Sequence, residues 1–173
     1  MVGRPVTAAA DSVGSAAAGE VSAEEARAQA GNQMRTKEFL SKLEHDKIVQ
    51  AIRDAELKTS GRIRVFIQRG KLEGDPLLAA QKRFHRLGLH KNAQHTDVLI
   101  FIAPRAHKFA IVGDEAIHQK SGEELWRRLA EQMRAHFRNE KFSDALVDAV
   151  REAGEALARH FPKDSTSSRE RQQ

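Results

Sequence analysis

The chain contains no cysteine. Disulfides, thiolate metal centres and thiol nucleophiles are thereby excluded together, and the expected compartment is the reducing cytoplasm. Tyrosine is absent and tryptophan occurs once, so few rings remain for stacking bases among the basic residues, and nucleic acid is not the expected partner. Nowhere do the roughly 20 successive apolar residues needed to cross a bilayer occur, and a soluble protein without a transmembrane segment is expected. Small residues around Ala16, Ala17 and Ala18 have the look of a cleavage site. The stretch before them lacks a leucine-rich run and carries only Arg4 as positive charge, so an export signal is not expected. No Gly-x-Ser-x-Gly elbow is present. The loop Arg69-Gly70-Lys71-Leu72-Glu73-Gly74 lacks the closing Gly-Lys-Ser or Gly-Lys-Thr of a phosphate loop.

What is present suffices for one domain. Of 173 residues, 40% are hydrophobic, enough to build a single two- or three-layer core. Residues 1–36 are rich in Ala, Gly, Ser and Glu, and the first 35 hold no Leu, Ile or Phe. They bury too little apolar surface to offset ordering entropy and read as a disordered arm. Residues 37–162 read as the folded domain and residues 163–173 as a second disordered, polar tail. The net charge of +5 is unevenly placed. Lys58, Arg62, Arg64, Arg69, Lys71, Lys82, Arg83, Arg86 and Lys91 are opposed over residues 58–91 only by Glu73 and Asp75, an excess that steers anionic partners.

The patterning alternates helical and strand periods. Ser41 and Glu44 form a capping box ahead of Leu43, Ile48, Val49, Ile52 and Ala55, a helix that stops at Thr59-Ser60-Gly61. Ile63, Val65 and Ile67 alternate with Arg62, Arg64 and Gln68 as in a strand with one partly wet face. Asp75-Pro76 starts a helix carrying Leu77, Ala80 and Phe84 to Gly88. Val98–Ala103 is apolar on both faces, as in a strand covered on two sides, and Phe109, Ala110, Ile111 and Val112 return beyond a turn at Pro104, Arg105 and Ala106. Ser121 with Glu124, and then Ser143, are read as caps of two closing helices. Their stripes are Leu125, Trp126, Leu129, Met133, Phe137 and Leu146, Val147, Val150, Leu157, Phe161; Pro162 ends the second.

The hairpin carries the chemical reading. If Ala103 pairs with Lys108, Val98 falls opposite Gly113 and Asp97 opposite Asp114, with β-carbons about 5 Å apart. Two like charges so placed need a cation, a proton or a basic side chain. Hard divalent cations such as calcium, magnesium or manganese take oxygen ligands of this kind, with Asp97, Asp114 and Glu115 as candidate ligands and His95 or His118 within reach. Arg62, at the head of the first strand, either binds a phosphate or supplies the cation's charge itself. Alternatively, Asp97 simply ends a strand and Asp114 caps a short helix beginning at Glu115. His85, His90 and His95 are spaced five apart, unlike the four-residue spacing of zinc helices.

Over residues 56–162 the order of these pieces resembles the TPM domain family, in its short soluble bacterial branch. The matching pieces are Thr59-Ser60-Gly61 leading into Ile63-Arg64-Val65, Phe84 with Leu87-Gly88, Val98-Leu99-Ile100-Phe101, Phe109-Ala110-Ile111, Gly113-Asp114, Ile117, Trp126 and residues 154–162. The chain departs from the family pattern in having Arg62 where a Glu is usual and Thr96-Asp97 where Asn-Gly is usual. The resemblance implies an α/β fold: a small mixed sheet flanked by helices in a three-layer sandwich, with a groove at one edge. Some members are described as phosphatases and some as binding divalent metal.

Three functions follow as expectations. The first is a non-catalytic accessory module acting with a protein or envelope partner through its groove and basic face. The second is a divalent-metal-assisted phosphatase-like enzyme with Asp97, Asp114, Arg62 and Arg105 as catalytic candidates. The third is a nonspecific polyanion binder.

Overall fold

Strand pairing organises the domain around residues that are apolar at every position. In a computed structural model, which describes Val6–Thr7 and residues 36–163, the elements are β1 (Val6–Thr7), α1 (Thr36–Ser41), α2 (His45–Lys58), β2 (Ile63–Ile67), α3 (Pro76–Arg86), β3 (Val98–Ala103), β4 (Lys108–Gly113), α4 (Glu115–Arg138) and α5 (Phe142–His160). Every residue of β3 is buried, because helices cover both sheet faces. The sheet order is β1-β4-β3-β2. β2 runs parallel to β3, and β4 is antiparallel to it, which makes the sheet mixed.

The period-2 alternation sorts the core into two layers. Ile63, Val98, Ile100, Ile102, Phe109 and Ile111 pack with Ile48 and Ala55 of α2, Trp126, Leu129 and Met133 of α4, and Leu146, Val150 and Leu157 of α5. Leu99, Phe101, Ala103, Ala110 and Val112 face the other way, onto Leu77, Ala80 and Phe84 of α3. The fold is therefore the expected three-layer sandwich, with α3 the sole α-helix on its side among the described residues, followed there by a 3-10 turn at Leu89–Lys91. Asp75 caps α3 by accepting from the Leu77 N–H, and Pro76 takes the first position, where its missing N–H costs nothing. Gly88, at φ 73°, ends it in the left-handed conformation that glycine adopts without strain.

Several expected helix starts lie elsewhere. Ser41 closes a first short helix instead of opening a longer one, its hydroxyl donating to the Glu38 carbonyl at 2.7 Å. α2 then begins after Glu44 without a side-chain cap. Ser143 does not cap α5; its Oγ accepts the Glu44 N–H at 2.9 Å and ties the starts of α2 and α5 together. Ser121 Oγ makes no hydrogen bond, so the Ser121–Glu124 box is not formed. Gly122, at φ 69°, instead breaks α4 into two segments, the first capped by Asp114. Val49 is 46% exposed although its spacing suits the core stripe. Of the arm, Val6–Thr7 pairs antiparallel with Val112 and Gly113 of β4. Thr36 is buried in α1, its hydroxyl donating to the Gln68 and Arg69 carbonyls. The remaining arm residues and the tail after Lys163 lie outside the described residues.

Candidate functional site

The hairpin register is the expected one: Ala103 pairs with Lys108 and Val98 with Gly113. One step further, the Asp114 N–H donates to the Asp97 carbonyl at 2.9 Å. The two acids thus meet at one end of the sheet, and both are fully buried. Their neighbour across the parallel pair is set by the same geometry. The Val98 N–H donates to the Arg62 carbonyl at 2.9 Å, which brings the head of β2 against Asp97.

Each carboxylate has a distinct environment. Asp97 Oδ1 accepts from the Arg62 backbone N–H at 3.0 Å and from the Asn92 amide at 2.8 Å. Its Oδ2 accepts from Arg62 Nε at 2.9 Å and from Nη2. An ionised carboxylate offers about four acceptor sites, and here all are taken, two of them by a planar guanidinium fork. Asp114 Oδ1 accepts the Glu115 N–H at 2.8 Å as a helix cap. Its Oδ2 is buried without a hydrogen bond, and His95 Nδ1 stands 3.4 Å away. Burial pushes the Asp114 carboxyl above the usual carboxylate range, against the opposing pull of the Glu115 N–H and His95; the charge of Asp97 raises it further.

The remaining candidates do not join this pair. Glu115 accepts from Gln119 on its own helix at 3.1 Å. Arg105 sits in the turn at the far end of the hairpin, six strand residues or about 20 Å from the acids. The rings of His85 and His90 lie side by side, with centroids 4.5 Å apart, while His95 faces Asp114. His118 Nδ1 is buried without a hydrogen bond. Asn92 was not among the sequence candidates. It reaches Asp97 because the loop turns back through His95, at φ 52°, and its own Oδ1 accepts the Gln94 N–H at 3.1 Å. An Asn whose side-chain oxygen accepts the N–H two residues on forms an Asx turn, the signal that could have found it.

A divalent cation fits this set poorly. Asp97 has no acceptor site left, a cationic group already lies on it, and among the described residues no three His, Asp or Glu side chains are grouped to hold a metal ion. A separate groove of about 380 Å³ lies between α4 and α5, lined by Gln132, His136, Asp148, Arg151, Glu152 and Glu155. Within it His136 stands 3.0 Å and Arg151 3.8 Å from Asp148, and Glu152 pairs with Arg128 at 3.2 Å.

The raised Asp114 carboxyl predicts a pH dependence. A group whose folded pKa exceeds its unfolded one favours folding below the unfolded pKa, and that contribution is lost as pH rises through the folded pKa. Asn caps helices as well as Asp. Asp114→Asn is therefore expected to melt a few degrees higher than the native chain at pH 7, with the gap closing below about pH 4. Thermal melts across that range check it.

Fold and site together define a small three-layer α/β domain whose mixed sheet carries a buried acidic pair at one end. Residues 34–156 match the TPM domain model, and the chain belongs to the TPM domain family. It is similar to BA42 from the psychrophilic bacterium Bizionia argentinensis, solved by NMR, with 34% identity and a TM-score of 0.65 over 72% of this chain and 87% of that one. No curated protein matches. Among the described residues, no helix is long and apolar enough to cross a membrane.

Proposed function

We propose that the domain is a non-catalytic binding module that engages an acidic protein surface through the outer face of α3. The observation carrying this reading is a charge asymmetry between the two helical layers. Residues 76–96 contain Lys82, Arg83, Arg86 and Lys91 and no Asp or Glu. Among the described residues none of these four makes an ion pair; Arg83 instead lies 4.0 Å over the Phe66 ring. On the opposite layer Lys47, Arg127, Arg128 and Arg151 are matched by Glu44, Glu124, Glu152 and Asp148. Leu78, Lys82, His85 and Arg86 follow the helical i, i+4, i+7, i+8 spacing and all are exposed, with Leu78 at 56%. A leucine amid unpaired cations suits a partner that supplies carboxylates around an apolar contact.

The phosphatase-like alternative requires a cation or an accessible nucleophile at the acid pair, and Asp97 is committed to Arg62 and Asn92. Crosslinking in cell extract tests the leading reading. The native chain is expected to capture a discrete partner, and Lys82→Glu with Arg86→Glu is expected to lose it at least tenfold while its melting temperature stays within about 2 °C. Metal-dependent hydrolysis of a phosphate ester, abolished by Asp114→Asn, would contradict the proposal.

A further inference from the structure

Two fully buried carboxylates at one end of a sheet are electrostatically costly, and something must compensate them. The cation lying on Asp97 is part of the chain. Arg62 sends its backbone N–H to one Asp97 oxygen and its guanidinium fork to the other, and its side chain remains 42% exposed. The guanidinium therefore keeps partial hydration while neutralising an acid that has none. Asn92 fills the last acceptor site of Asp97. Asp114 is left with one buried oxygen free of hydrogen bonds.

We infer that the Arg62 guanidinium permanently fills the role a divalent cation would have at this edge, so that the native acid pair is metal-independent and removal of Arg62 converts it into a cation site. The physical reasoning is one of exchange. Arginine stays charged at every accessible pH, and two of its side-chain donors lie on Asp97 Oδ2, so Asp97 is neutralised at all ionic compositions. Taking the Arg62 side chain away removes two of the four donors on Asp97, while the Arg62 backbone N–H and the Asn92 amide stay on Oδ1. The two side-chain donors vanish from Asp97 Oδ2, which then joins Asp114 Oδ2, buried without a hydrogen bond and 3.4 Å from His95, as an oxygen ligand for a hard cation.

Thermal melts of the full chain with and without saturating calcium, magnesium or manganese test this. The native protein is expected to show no shift. Arg62→Ala is expected to melt lower and to regain about 4 °C or more with at least one of the three ions. Asn92→Asp adds a third carboxylate while keeping the guanidinium, and it is expected to stay unresponsive. A metal-induced rise in the native protein or in Asn92→Asp overturns the inference, as does a folded Arg62→Ala that ignores all three ions. If Arg62→Ala is unfolded without metal, recovery of its far-UV circular dichroism on adding calcium or manganese supports the inference, and no recovery overturns it. Residues of the α3 face are unaltered in these variants, so failure here leaves the partner reading standing.

Discussion

Arg62→Ala is expected to destabilise the domain by about 3 kcal/mol, and Asp97→Ala by about 2 kcal/mol. The order follows from which group is left behind. Without Arg62, a fully buried carboxylate loses its countercharge and both donors to Oδ2. Without Asp97, the half-exposed guanidinium can turn to water, and the cost reduces to the stranded Arg62 N–H and Asn92 amide. In a domain of this size 3 kcal/mol corresponds to a fall of about 10 °C in melting temperature. Denaturant titration of the two variants beside the native chain reads the order directly. Equal losses below about 1 kcal/mol would mean that the pair behaves as an exposed salt bridge.

Gly113→Ala is expected to cost about 3 kcal/mol, at the upper end of what overpacking does. A β-carbon at Gly113 would stand 2.5 Å from both Cη2 and Cζ2 of Trp126, and that indole is fully buried. Neither partner can yield easily: the glycine is held in register opposite Val98, and the tryptophan is wedged in the core under the sheet. Trp126→Phe removes the ring atoms that clash. In that background the same substitution is expected to cost less than about 1.5 kcal/mol, and the difference is the coupling a double-mutant cycle measures. Because Gly113 directly precedes Asp114, the cycle also tests whether the packing that sets the acid pair's position is as described.

The parts of this structure legible in the sequence are those fixed by local rules. The turn at Pro104, Arg105 and Ala106 is short enough to dictate the register of its flanking strands, so the meeting of Asp97 with Asp114 could be counted out residue by residue. Asp75-Pro76 and Gly88 likewise mark both ends of α3 by their backbone preferences alone. The misread positions are those decided by distant partners. Ser143 looked like a cap and serves instead as acceptor for Glu44, ninety-nine positions earlier. Ser121 looked like a helix start, and the change of direction was made by Gly122 beside it. Arg62 could be placed near the acids, but whether it would meet a phosphate or the acids themselves depended on a parallel strand pairing that no local pattern encodes. Asn92 left only the local signal of its Asx turn, and its reach to Asp97 five residues on depends on the left-handed turn at His95.

The acidic edge is thus read as an internally neutralised structural element, with recognition assigned to α3 on the other side of the sheet. Amide NMR spectra of the native chain titrated with manganese test that division most directly. The account predicts no selective broadening at Asp97, Val98, Gly113 or Asp114 at manganese concentrations that saturate ordinary oxygen-ligand sites. Broadening confined to those four amides, reversed by a chelator, would contradict it.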